Sequence, residues 1–290
     1  MSLPVDPLWP RAGNWPGPTG HADFALVGVP TFSRSISKTN ANQNPDAVRA
    51  MIPRYSEFSH AGGRELGFAD YGNLVDPDTD ETGAISAISA IDADLLVALG
   101  GDNSATVPVA LGRFGTALNT AGLVTVDAHY DLRDGVSNGS PVRRLVEAGL
   151  DGKRIVQIGI SDFANSEEYA ARAREFGITV ILREELLSTP INKVMSRALE
   201  IAGSAGGPIH VDLDVDVCDR SVAPACPASV PGGISAHELR TAARVAGAHP
   251  QVTSIDLVEV DATADTPDAR TVRLVALCVL EAAAGLRSRS

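Results

Sequence analysis

Along the chain, short apolar runs alternate with longer stretches whose apolar positions recur at helical spacing. The runs FALVGVP (24–30), DLLVALG (94–100), GLVTVD (122–127), RIVQIGI (154–160), ITVILR (178–183), PIHVDLDV (208–215) and VTSIDLVEV (252–260) predict strands. Between them, NPDAVRAMI (44–52), Ser104 to Phe114, SEEYAARAREFG (166–177), NKVMSRALEIAG (192–203) and SAHELRTAARVAG (235–247) predict helices. DARTVRLVALCVLEAAAGL (268–286) predicts a long final helix. Asn44 is placed to cap the first helix, with Pro45 at its first helical position. Ser235 and Glu238 have the spacing of a capping box. Strands this continuously apolar are covered on both faces, and their alternation with helices makes the sheet parallel. The expected architecture is α/β: three layers, α/β/α, around a central, mostly parallel sheet. One domain over residues 1–290 is expected, with residues 1–22 an irregular Pro-, Gly- and Trp-rich arm pinned by Trp9 and Trp15. No internal repeat, low-complexity tract or long linker interrupts the pattern.

The polar residues at the strand ends change the picture. In open parallel sheets, ligands bind beyond the carboxyl ends of the strands. Four such ends carry unusual polar sets: LGGDNS (99–104), DAHYD (127–131), DLDVD (212–216) and DLVEVD (256–261). Side chains at i, i+2 and i+4 of an extended chain share a face, so Asp127, His129 and Asp131 could meet at one point. Asp212, Asp214 and Asp216 repeat the spacing. Carboxylates cannot gather in a low-dielectric pocket without compensating charge. A set rich in oxygen and poor in nitrogen suits Mg or Mn better than Zn. The excess of carboxylate points to two metals sharing bridging oxygens, an arrangement that holds and activates a hydroxide. A lone Asp at a strand end is more often a turn former or a cap, so the weight lies in the combined set. His60, His237 and His249 have no such context, and His21 and His210 read as structural. Cys218 reads as a buried spectator thiol.

Composition narrows the partners. A chain of 290 residues that is 44% hydrophobic can bury a large core. A net charge of −12 makes it a poor partner for nucleic acid or an anionic membrane, though a few arginines can still hold an anionic small molecule. Three scattered cysteines give neither a disulfide framework nor a zinc ribbon. With no secretory pattern and no membrane-length apolar run, a reducing cytoplasm is the expected setting.

The ordered set resembles the ureohydrolase superfamily: arginase, agmatinase, guanidinobutyrase and formimidoylglutamase. The patterns of that superfamily are GGDHS, DAHxD, SxDxDxxDPxxAPGxGTPxPGG and a strand ending in E-V-N-P. Here they stand as GGDNS (100–104), DAHYD (127–131), DLDVDVCDRSVAPACPASVPGG (212–233) and VEVDATAD (258–265), while NPDAVR (44–49) is similar to the early GPxAIR segment. The resemblance implies an arginase-like fold, Mn2+ as cofactor, and assembly as a homo-oligomer, commonly a trimer or hexamer. By position it implies that Asp127 and Asp214 bridge two ions. His129 and Asp216 would complete one site, and Asp131 with the residue at 103 the other. Ala223 and Pro224 fix the register that makes Asp214 and Asp216 ligands and leaves Asp212 behind them, at the family's serine position. Glu259 matches the glutamate that holds an amidinium or guanidinium group.

Departures from the pattern sharpen the reading. Asn103 replaces a histidine ligand, so one ion is expected to bind less tightly. Arg220 replaces a proline, and APACPAS lacks the usual glycines. Asn138 stands where arginases carry a histidine, which argues against arginase itself. The stretch YDLRDGVSNGSPVRRL (130–145) resembles FDLR…SSGTPFR of formimidoylglutamases, and places Arg133, Asn138 and Ser140 as candidate substrate contacts. Arg133 suits a substrate carboxylate, or a salt bridge to a neighbour such as Asp134. Arg34 is a weaker candidate for the same task. The implied reaction is hydrolysis of a linear amidine, N-formimidoyl-L-glutamate, to glutamate and formamide. Glu259 would anchor the formimino group, and Asp131 would act as general acid toward the departing amine. The alternatives are a guanidine hydrolase acting on agmatine or guanidinobutyrate, and a non-catalytic relative that binds a metabolite.

Overall fold

A computed structural model describes residues 5–289, so residues 1–4 of the expected arm lie outside the described residues. Eight strands form one sheet: β1 (Ala22–Val29), β2 (Phe68–Asn73), β3 (Ala93–Gly100), β4 (Gly122–Val126), β5 (Ile155–Ile160), β6 (Thr179–Leu182), β7 (Ile209–Asp214) and β8 (Val252–Val258). Their order is β2-β1-β3-β8-β7-β4-β5-β6, and every pairing is parallel. The helices are α1 (Asn44–Met51), α2 (Glu81–Ser89), α3 (Thr106–Phe114), α4 (Pro141–Ala148), α5 (Glu167–Phe176), α6 (Ile191–Ala202), α7 (Ala236–Ala248) and α8 (Arg270–Leu286). One face of the sheet carries α1, α6, α7 and α8 over Val124, Val126, Val211, Leu213, Ile255 and Leu257. The other carries α2 and α3 over β1 and β3, and α4 and α5 over β4 and β5. Central strands buried on both faces explain the near-continuous apolar runs.

The capping box at Ser235 and Glu238 forms as expected. Asn44 does not cap α1. It is the first helical residue, after Gln43, and its side-chain amide donates to the Gly100 carbonyl at 2.8 Å. A buried strand-end carbonyl is satisfied in this way by a residue 56 positions away. The arm is pinned by one tryptophan rather than two. Trp15 stacks on Phe68, with centroids 4.7 Å apart, and donates to Glu57 at 2.8 Å. Trp9 stays half exposed beneath the Arg11 guanidinium. Three elements had no sequence signal strong enough to predict them: β2, α2 and α4. β2 is an edge strand, FADYGN, with few apolar residues, and α2 and α4 are short.

The four central strands, in the order β3-β8-β7-β4, bring Asn103, Glu259, Asp214 and Asp127 to one rim. At the β3 end only glycine fits position 101, because a Cβ there would lie 1.8 Å from the Thr31 carbonyl oxygen. The Gly101 carbonyl in turn accepts the Glu259 amide at 2.8 Å, which ties the β3 and β8 ends together.

Candidate active site

The acidic side chains do converge, but not by strand alternation. β4 ends at Val126 and β7 at Asp214, so DAHYD and VDV lie beyond the strands. Two identical turns replace the extended chain. Asp127 Oδ1 accepts the amide of His129 at 2.7 Å, and Asp214 Oδ1 accepts the amide of Asp216 at 2.8 Å. Each aspartate thus uses one oxygen to fold the chain after its own strand and turns the other inward. Asp131 and Glu259 are aimed by backbone in the left-handed region, at φ 53° and 66°. Such a conformation costs a non-glycine residue about 1–3 kcal/mol and persists where its surroundings enforce it.

Asp131, Asp214, Asp216 and Glu259 line a cavity of about 220 Å3, and His129 and Arg133 are its basic lining residues. Asp127, His129 and Asp216 offer ligand atoms that all lie within 4.8 Å of one another. His129 Nδ1 stands 3.0 Å from Asp216 Oδ2 and 3.5 Å from Asp127 Oδ1. Burial and the Asp216 charge push Asp127 up to about 6. Burial, then the Asp127 and Asp216 charges respectively, raise Asp131 and Asp214 well above the carboxylate range. Burial and the Asp102 charge push Glu259 up to about 8. Burial opposes a charged His129, yet the Asp216 and Asp127 carboxylates outweigh it and push its pKa up to about 12. One imidazolium does not balance the carboxyl groups gathered around it. Asp127 Oδ2 and Asp216 Oδ1 are buried with no hydrogen-bond partner among the described residues. Oxygen donors in excess, one imidazole and orphaned carboxylate oxygens fit a hard divalent cation such as Mn2+.

The remaining expected residues divide. Asn103 points Nδ2, not Oδ1, at the acids, 2.6 Å from Asp131 Oδ2 and 3.2 Å from Asp214 Oδ2, while the Thr106 hydroxyl donates to its Oδ1. In this orientation it is a donor to the carboxylates, and ligation would require the amide to turn over. Arg133 lines the cavity, and its guanidinium has no partner among the described residues. Asp134 pairs with Arg172 instead, at 2.8 Å. Arg34 is taken by Glu81, at 2.7 Å. Asn138 reaches the cavity wall, but both ends of its amide are used within the protein. Ser140 does not line the cavity. It is fully buried, and its hydroxyl closes a turn by donating to the Ser137 carbonyl at 2.7 Å. Asp212 lies fully buried on β7 beside Asp256, which meets the structural His210 at 3.2 Å. Arg220 stands in for the missing proline by donating to the Cys226 and Pro227 carbonyls. It thereby closes the loop that carries Ala228 to the cavity.

Sequence reasoning missed the far wall, where Tyr169 and Asn165 stand. Asn165 holds that wall by donating to the Ala128 and Ser161 carbonyls and accepting the Tyr130 amide. Its signal was only a polar loop before the Ser166 cap.

The Arginase family profile matches residues 22–285. The chain belongs to the arginase family. Among curated members of the family, it is 33% identical to the formimidoylglutamase of Halalkalibacterium halodurans over 83% of this chain and 81% of that one. The crystal structure of formimidoylglutamase from Bacillus subtilis superposes with a TM-score of 0.90 at 28% identity, covering 99% of this chain and 95% of that one. The same fold occurs in a formiminoglutamase of Trypanosoma cruzi solved with Mn2+, with a TM-score of 0.87 at 21% identity over 97% of this chain and 100% of that one. No helix among the described residues is long and apolar enough to cross a membrane.

Proposed function

We propose that this arginase-family chain hydrolyses N-formimidoyl-L-glutamate to L-glutamate and formamide with Mn2+ as cofactor. One observation carries the substrate assignment. Arg133, an exposed residue with no ion-pair partner among the described residues, lines the same cavity as the buried Glu259. A ligand positive at one end and negative at the other satisfies both, as a formimidoyl amino acid does. Formimidoylglutamases stand among its curated relatives, two of them at 33% and 30% identity, which supports this choice among such ligands.

In this reading Asp127, His129, Asp131, Asp214 and Asp216 would hold the Mn2+. Asn103 would add little to that hold, because its amide donates to Asp131 and Asp214. Bound cations neutralise the cluster and acidify a water enough for attack near neutral pH. Glu259 receives the amidinium, whose positive charge favours the ionised carboxylate that burial disfavours. That contact orients the amidine carbon. Asp131 takes a proton from the attacking water and delivers it to the nitrogen that leaves with glutamate. Water adds to the amidinium carbon, the C–N bond to glutamate breaks as the hydroxyl of the adduct gives its proton to the departing amine, and formamide and the ammonium of glutamate leave. The three cysteines are buried and unpaired, which supports a reducing, cytoplasmic setting, and the family resemblance supports a trimer or hexamer.

A substrate panel with added Mn2+ tests the proposal: formimidoylglutamate, guanidinobutyrate, agmatine and arginine, assayed for formamide and urea. Formamide from formimidoylglutamate is the expected result. Urea from a guanidine, with no formamide, would replace the substrate and keep the metal site. Bound metal without turnover of any of them would make the chain a binding relative.

A further inference from the structure

One side chain joins two parts of the pocket that sequence keeps far apart. Asn138 donates through Nδ2 to Glu259 Oε1 at 2.7 Å and accepts the amide of Ile36 at Oδ1, at 2.9 Å. Its partners fix the orientation. Turned over, Oδ1 would face a carboxylate and Nδ2 would face an N–H, losing both bonds. Glu259 Oε1 also accepts the Asn103 amide, at 2.8 Å. Two bonds fill the acceptor capacity of that oxygen and fix the carboxylate plane, which leaves Oε2 for a ligand.

The other end of Asn138 holds a wall. Segment 31–40 is tied down near its start, where Asp78 accepts the amides of Phe32 and Ser33 at 3.0 Å each. It is tied again at its end, where Asp261 accepts the Asn40 amide at 2.8 Å. Between these anchors lie Ile36 and Ser37, which line the cavity. There the segment is held by Asn138, through the Ile36 bond and through the Asn138 amide to the Arg34 carbonyl at 3.1 Å.

We propose that Asn138 is a positioning residue: it sets the free oxygen of Glu259 for the amidinium and fixes the Ile36–Ser37 wall to that carboxylate. The inference rests on the reading that Glu259 receives the amidinium. An anchor displaced by about 1 Å can cost roughly a hundredfold in rate.

Two variants and one inhibitor test it. Asn138→Asp keeps an oxygen for the Ile36 amide and sets a carboxylate against Glu259. Asn138→Ala removes both side-chain bonds, to Glu259 and to Ile36, and keeps the main-chain bond to Arg34. Glutamate, the product, would bind through Arg133 without needing Glu259, so its inhibition constant reports the rest of the pocket. The expected result is a loss of about a hundredfold in kcat/KM for Asn138→Asp and at least about tenfold for Asn138→Ala, with glutamate inhibition within about twofold of wild type. Activity within about threefold of wild type in both variants overturns the inference, and so does glutamate inhibition that weakens in step with kcat/KM. If wild type turns over only a guanidino acid, the same variants are read with that substrate and its amino-acid product. Wild-type protein inactive on every amidine and guanidine overturns the functional reading and this inference together. Active wild type with indifferent Asn138 variants overturns the inference alone.

Discussion

The two ends of the sheet each gather histidine and aspartate, and the two gatherings are opposite in character. At the amino ends of β1 and β3, His21, Asp23 and Asp94 come close enough to share an ion. There Arg64 already pairs with Asp23 at 2.6 Å and Asp94 at 3.3 Å, while His21 pairs with Asp92 at 3.0 Å. The Asp92 hydrogen bond raises His21, and the Gly67 amide and Arg64 hold Asp23 low despite its partial burial. At the carboxyl ends of β4 and β7, Asp127, His129 and Asp216 meet with more acids around them, orphaned oxygens, and no arginine among the described residues paired to them. Residue types alone do not separate the two. Burial and uncompensated charge do: a satisfied cluster needs nothing further, whereas a buried excess of carboxylate needs a cation.

The largest effect that can break this contrast is at Glu259. Glu259→Gln keeps shape and removes the charge proposed to meet the amidinium. A loss of about 10²–10³-fold in kcat/KM is expected, with Mn2+ content unchanged. Near-wild-type turnover would remove Glu259 from its assigned role. Arg133→Ala comes next. Losing a charge-assisted bond to a substrate carboxylate should cost roughly 1.5–3 kcal/mol, read as a tenfold to hundredfold rise in KM with kcat little changed. An unchanged KM would mean the substrate carboxylate lies elsewhere.

Smaller is the pH effect on stability. Asp127 at about 6 and Glu259 at about 8 hold protons in the folded metal-free state that the unfolded chain, titrating near 4, has released. His129, raised to about 12, holds one above its unfolded value of about 6.5. From about pH 4 upward the folded state therefore binds more protons than the unfolded, and metal-free stability falls as pH rises through about 8. Mn2+ competes with those protons, so the rise in Tm on adding Mn2+ should be larger at pH 8 than at pH 5.5. Calorimetry showing the reverse order would mean that these carboxylates do not receive the ion. The smallest effect is at the amino-terminal rim. His21→Ala should leave activity unchanged and shift stability by no more than about 0.5 kcal/mol.

Much of this was legible in the chain. The apolar runs located seven of the eight strands, and the motifs named the acids that meet. How those acids meet was less visible. Alternation suggested a shared face, whereas the chain folds each group through a turn made by Asp127 or Asp214 itself. Asn138 and Ser140 stand in one motif and looked alike as substrate contacts. Only three-dimensional partners separate a residue tied to Glu259 from one that closes its own loop. β2 escaped notice because an edge strand needs little apolar sequence to pair with a well-buried neighbour.

The proposed metal site is the carboxyl-end cluster and not its amino-end counterpart. Equilibrium dialysis against Mn2+ on wild type, Asp214→Asn and Asp94→Asn tests it most directly. Wild type and Asp94→Asn should bind alike, and Asp214→Asn should lose bound Mn2+. Mn2+ retained by Asp214→Asn and lost from Asp94→Asn would contradict it.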